Sequence, residues 1–161
     1  IAWHEELLTS EGNLVKLKRK MAYIADRPVL YKYANFQLQG ETWNGVLLEI
    51  KVALEKRLGV KFNSVLLNLY RNGKDEIKWH SDKEKQLGET PIITMINLGA
   101  SRTFHLKKIN NKENKLQYPL NNGDLFIMHK NCQQIWQHAI LPEKEIKEPR
   151  ISLTFRRVFY E

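Results

Sequence analysis

The sequence predicts a mostly β fold of the α+β class, a β-sandwich or jelly roll with helices on one side. Three observations lead there. One stretch, residues 43–58, carries apolar residues at helical spacing. After it the apolar period falls to two, in seven short segments. Turn-forming residues separate several of those segments. A helical region followed by many short strands suits two packed layers around one core.

In the helical stretch, Leu47, Ile50, Leu54 and Leu58 recur on one face, with Glu49, Glu55 and Lys56 elsewhere. Gly59 supplies the stop, since glycine tolerates the left-handed conformation that ends a helix. The helix should therefore cover one face of a sheet. Segments 64–70, 92–98, 102–108, 116–120, 124–129, 134–140 and 150–158 read as strands. Arg71-Asn72-Gly73, Asn110-Asn111 and Asn121-Asn122-Gly123 read as turns.

The 161 residues, 42% hydrophobic, suffice for one well-filled core and suggest a single domain. No apolar run is long enough to span a bilayer, so no membrane partner is expected. Cys132 is alone, which excludes an internal disulfide framework and fits a reducing, intracellular compartment, cytoplasm or nucleus. Ile1-Ala2-Trp3-His4 does not resemble a secretory signal, and an opening Ile1 implies a native start further upstream. Lys and Arg number 26 against 18 Asp and Glu, a net charge of +8. Lys16, Lys18, Arg19 and Lys20 form one basic cluster; Lys107, Lys108, Lys112 and Lys115 form another. Such clusters suit a solvated surface and a phosphate backbone about equally.

Three constellations carry possible chemistry. In His80-Ser81-Asp82, residues two apart on an extended chain point the same way, so His80 and Asp82 can grip one ion. His138, in segment 134–140, is the best third ligand, with His4, His105 and His129 as competitors. Two His and one carboxylate on one side of Fe(II) leave positions for a bidentate cosubstrate and oxygen. In residues 150–156, Ile151, Leu153 and Phe155 alternate with Arg150, Ser152, Thr154 and Arg156. Two arginines in so apolar a strand either face solvent on a basic edge or embrace an anion such as a five-carbon diacid. Leu66, Asn68 and Tyr70 share a strand face, which sets an amide and a phenol among apolar neighbours. Such a pair needs partners, either a cosubstrate oxygen or a structural hydrogen bond.

Together these residues resemble the AlkB family of Fe(II)- and 2-oxoglutarate-dependent nucleic-acid demethylases. The resemblance runs in order through Phe62-Asn63-Ser64, Asn68 to Asn72, Trp79 to Asp82, Pro91-Ile92-Ile93, Leu98 to Arg102, Trp136-Gln137-His138 and Glu148 to Arg156. It extends more loosely over Lys18 to Trp43, and it is nearest to the eukaryotic homologue that prefers single strands. It implies a double-stranded β-helix over residues 44–161, with an N-terminal recognition lid over about 1–43. His80, Asp82 and His138 would then ligate iron. Asn68, Tyr70, Arg150, Ser152 and Arg156 would hold 2-oxoglutarate. Arg19, Tyr31, Tyr33 and Glu84 would contact the substrate.

Two departures stand out. Ser152 replaces the usual Asn beside the cosubstrate. Ser10-Glu11-Gly12 replaces the apolar wedge of duplex-preferring members, and a carboxylate intercalates poorly. The implied reaction consumes 2-oxoglutarate and O2, releases succinate and CO2, and removes the N-methyl group of 1-methyladenine or 3-methylcytosine as formaldehyde. Single-stranded DNA or RNA would be the partner of a monomer. An oxygenase acting on protein or a small molecule, and a catalytically silent nucleic-acid-binding module, are the rival readings.

Overall fold

The computed structural model describes every residue except 28, 29, 34 and 161, so three positions of the expected lid region lie outside the described residues. Four strands precede the main helix: β1 (His4–Thr9), β2 (Leu14–Ala25), β3 (Leu30–Tyr33) and β4 (Phe36–Gln39). Helix α1 (Gly45–Leu58) follows, then β5 (Ser64–Tyr70), β6 (Ile77–His80), β7 (Ile93–Gly99), β8 (Arg102–Lys108), β9 (Lys115–Leu120) and β10 (Leu125–Met128). A one-turn helix α2 (Cys132–Ile135) leads into β11 (Trp136–Ile140), and β12 (Arg150–Arg156) comes last.

These strands form two sheets. The larger has the order β10-β7-β12-β5-β2-β1-β4-β3, the smaller β6-β11-β8-β9. Each strand of the larger sheet separates two environments, because alternate side chains point to opposite faces. From β5, Leu66 and Tyr70 enter the core between the sheets, while Val65 and Leu67 face α1. From β12, Leu153 and Phe155 likewise face the helix. Leu47 and Leu54 of α1 meet them there, each such buried side chain contributing about 1.5–3 kcal/mol. Asn44 caps α1 by accepting from Leu47 N–H, and Gly59 ends it at φ 68°.

The helix, its stop and the two-layer architecture thus follow the sequence pattern. Three features do not. β1 to β4 extend the larger sheet, because β2 pairs along β5 from Lys20↔Leu69 to Ala25↔Ser64. Segment 134–140 is not one strand: its first residues complete α2, and the ladder with β8 starts at Trp136↔Lys108. The basic-edge alternative for residues 150–156 is excluded, since β12 lies between β5 and β7.

Candidate active site

The two sheets bring the histidines together. β6 and β11 are paired so that His138 stands opposite His80. Beyond the end of β6, Asp82 is drawn back toward them by its backbone: its N–H donates to Gln133 Oε1 at 2.8 Å. Ser81 Oγ donates to the Trp136 carbonyl at 2.8 Å, pinning the same turn to β11. Asp82 Oδ1 then lies 3.6 Å from His80 Nε2 and 3.9 Å from His138 Nε2. The three ligand atoms fall within 4.8 Å of one another. The 3.6 and 3.9 Å gaps exceed a hydrogen bond, yet an ion about 2.0–2.2 Å from each atom spans them.

Electrostatics suit a cation. Burial pushes His138 down to about 3 and also lowers His80, so both rings are neutral with lone pairs to offer. His80 Nδ1 lies 2.7 Å from the Lys78 carbonyl; it donates there, which turns Nε2 toward the site. Burial works to raise Asp82, but the Arg156 guanidinium beside it outweighs that and holds the carboxylate below its ordinary value. Asp82 Oδ2 accepts from Arg156 Nη2 at 3.0 Å, whereas Oδ1 is buried with no hydrogen-bond partner among the described residues. An ionised oxygen left so would be costly, and a divalent ion is the remedy its neighbours favour.

The second unusual group is Arg150, which is 1% exposed. Its Nε donates to Asn97 Oδ1, and its Nη1 has no hydrogen-bond partner among the described residues. Burial holds its pKa below the usual guanidinium range, partly offset by the adjacent Tyr70 phenol. Asn97 is itself fixed, its amide donating to the carbonyls of Leu120 and Asn121 at 3.0 Å each. Gly99 permits this corner: at φ 86°, a Cβ there would lie 2.4 Å from the Pro149 carbonyl oxygen. Arg150, Ser152, Arg156, Asn68 and Tyr70 all line one small cavity with the three metal-type ligands. Its free volume is about 30 Å³, so a five-carbon diacid must displace lining side chains such as Met95 and Met128.

A groove of about 440 Å³ opens beside His80. Tyr33, Arg19, Glu84 and Trp79 line it, with Lys16, Lys18 and Lys78. Arg19 is nonetheless buried, its Nε donating to Asn68 Oδ1 at 2.7 Å, so it ties the groove to the inner cavity. Tyr31 does not line the groove. It stacks on Tyr23, ring centroids 4.5 Å apart, and its hydroxyl accepts from Arg156 Nη1 at 3.2 Å. A larger hollow of about 570 Å³, by Val60, Ile92 and Phe159, contains none of these residues.

Asn97 and Gln133 belong to the site although no sequence motif marks them. Both are polar, at most 3% exposed and hydrogen-bonded to the machinery. Asn97 sits at an odd place in an apolar strand, which is a readable signal. Gln133 gives none, because its partner is 51 residues away.

An oxygenase of the iron and 2-oxoglutarate class accounts for fold and site together, and the chain belongs to the 2OG-Fe(II) oxygenase superfamily, whose pattern matches residues 4–156. Membership implies Fe(II), 2-oxoglutarate and O2. Within that class the chain is similar to AlkB homologues. It is 36% identical over 168 residues to the Homo sapiens alpha-ketoglutarate-dependent dioxygenase alkB homolog 3, covering 99% of this chain and 58% of that protein. It is 29% identical over 154 residues to the Homo sapiens DNA oxidative demethylase ALKBH2, covering 91% and 59%. The chain thus spans under two thirds of the length of these relatives. A solved structure, that of OsALKBH1, shares the fold with a TM-score of 0.62 at 16% identity, covering 88% of this chain and 78% of the other. Among the described residues no helix is long and apolar enough to cross a membrane.

Proposed function

We propose that this chain oxidatively demethylates N-alkylated bases in single-stranded DNA or RNA. His80, Asp82 and His138 would hold Fe(II). Arg150 would take the far carboxylate of 2-oxoglutarate, with Asn68, Tyr70 and Ser152 along its length and Arg156 at the metal end. When bound, iron with 2-oxoglutarate supplies the oxidation of an N-methyl group, with release of succinate, CO2 and formaldehyde.

The observation that carries this reading is the pair of uncompensated buried groups: Asp82 Oδ1 beside two neutral imidazoles, and Arg150 Nη1. One requires a cation and the other an anion, and both line one cavity. Arg156 would steady the Asp82 carboxylate through Oδ2, leaving Oδ1 for the ion. The adjoining groove supports the choice of substrate. Its lysines suit phosphates, and Tyr33 beside the His80 ring offers aromatic surface to an extruded base. Glu84 lines the same groove and would favour a cationic base such as 1-methyladenine or 3-methylcytosine. One relative's name, DNA oxidative demethylase ALKBH2, supports a nucleic-acid substrate. These residues further support the expected division into a lid within about 1–43 and a catalytic unit over 44–161.

Succinate release with matched methylated and unmethylated single-stranded oligonucleotides tests the proposal. Release stimulated by the methylated strand is the expected result. Stimulation by a peptide or small molecule instead would overturn it, as would binding without turnover in the presence of Fe(II) and 2-oxoglutarate.

A further inference from the structure

The outer face of the smaller sheet carries an aromatic and basic arrangement that iron and 2-oxoglutarate do not use. Trp79 precedes His80 on β6, so its side chain points away from the inner cavity. Trp79 is nonetheless part of the wall of the groove beside His80. Lys107 Nζ lies 4.3 Å from the ring centroid, and Lys107 is not among the groove-lining residues. The His105 ring meets the indole edge-on, centroids 6.3 Å apart at 74°. β11 runs between the strands carrying these groups, and the buried, small Ala139 lies on it opposite His105. Burial lowers the His105 pKa, which leaves an uncharged ring as the prop.

An indole with an ammonium over its ring and an imidazole meeting it edge-on, in a residue at the wall of an open groove, is a flat surface prepared in advance. We infer that Trp79 is a stacking platform for the unmodified base adjacent to the one entering the site. This rests on the reading that the groove takes a base from a single strand. Three features favour a nucleic-acid strand as occupant. Lys16, Lys18 and Lys78 rim the groove, and Lys78 is exposed. Lys107, on the same outer face as Trp79, adds a further positive charge. Every base has a π face, so such a platform is tolerant of sequence, which suits an enzyme meeting lesions in any context. The groove also contains Glu76, but that carboxylate is taken up by Lys18 at 2.9 Å.

The test is an anisotropy titration of the whole chain without turnover. Two fluorescent single strands carry one 3-methylcytosine, flanked either by thymidines or by abasic residues. A third strand has thymidine flanks and unmodified cytosine. Wild type should bind the thymidine-flanked lesion at least about fivefold more tightly than the abasic-flanked one. Trp79→Leu, which keeps bulk but no π face, should bind those two alike, and Trp79→Phe should retain most of the difference. A flanking-base preference that survives Trp79→Leu, or one absent from wild type, overturns the platform. If Trp79→Leu does not fold by circular dichroism, Trp79→Met, which also lacks a π face, carries the same expectation, and an undiminished flanking-base preference in it overturns the platform. Failure of the underlying reading looks different: wild type would then show no preference for the methylated over the unmethylated strand.

Discussion

His80 stands opposite His138 across the β6–β11 ladder, their ring centroids 4.2 Å apart, so the two rings belong to one rigid frame. Asp82 lies outside that ladder and is held through Gln133, Ser81 and Arg156. The site is therefore two scaffolded ligands and one tethered ligand, and the tethered one carries the charge.

Asp82→Ala should abolish turnover and weaken Fe(II) binding by more than the roughly 10–100-fold typical of an outer-shell residue. It should also destabilise the metal-free fold by about 3–5 kcal/mol, because Arg156 loses its buried partner. Metal titration and thermal melts check both. Unchanged metal affinity would remove Asp82 from the ligand set.

Arg150→Ala should raise the 2-oxoglutarate requirement roughly ten- to a hundredfold, the cost of one or two charge-assisted hydrogen bonds. Asn97→Ala should act in the same direction but more weakly, since Asn97 only aims Arg150. Titrations of 2-oxoglutarate and of oligonucleotide on each variant separate this role from a nucleic-acid contact. Equal effects on both requirements would contradict it.

Much of this arrangement is legible in the sequence. The alternation of Arg150, Ser152, Thr154 and Arg156 with Ile151, Leu153 and Phe155 assigns the two faces of β12 correctly, because strand geometry is local. The His-x-Asp spacing likewise proposes a shared ion. β6, with its four residues, is too short to register as a strand. The joining of β2 to β5 depends on pairing between distant residues, for instance Ala25 and Ser64, and no local period reports it. Tyr31 and Arg19 look like surface lid residues in the sequence. Their burial against Arg156 and Asn68 comes from that same long-range pairing.

Acid should weaken the fold through Glu143. Burial works to raise its pKa, but the Thr103 N–H and Arg102 outweigh it and hold the carboxyl below its ordinary value. The group's folded pKa is depressed, so its contribution is present above about pH 4.5 and is lost as pH falls through the folded value. Arg102, 1% exposed, then loses its carboxylate partner at 2.9 Å. Thermal melts over the acid range, from roughly pH 6 to 3, should fall for wild type. They should fall less steeply for Glu143→Gln, which starts lower at the neutral end. Parallel curves would place the acid sensitivity elsewhere.

The geometry of the β1–β2 hairpin bears on whether single strands are the preferred substrate. Its tip, Ser10-Glu11-Gly12, is exposed and offers no apolar wedge, so a duplex must supply its own unpairing energy, about a few kcal/mol. The deciding measurement is the initial rate of formaldehyde release from matched single- and double-stranded oligonucleotides carrying 3-methylcytosine, with Fe(II) and 2-oxoglutarate present or withheld. Release is expected only when both are present, and faster from the single strand. A rate on duplex equal to or above that on single strand would refute the preference and shift the wedging role to Leu14, 65% exposed just behind the hairpin tip. No release from either strand would contradict the demethylase reading itself.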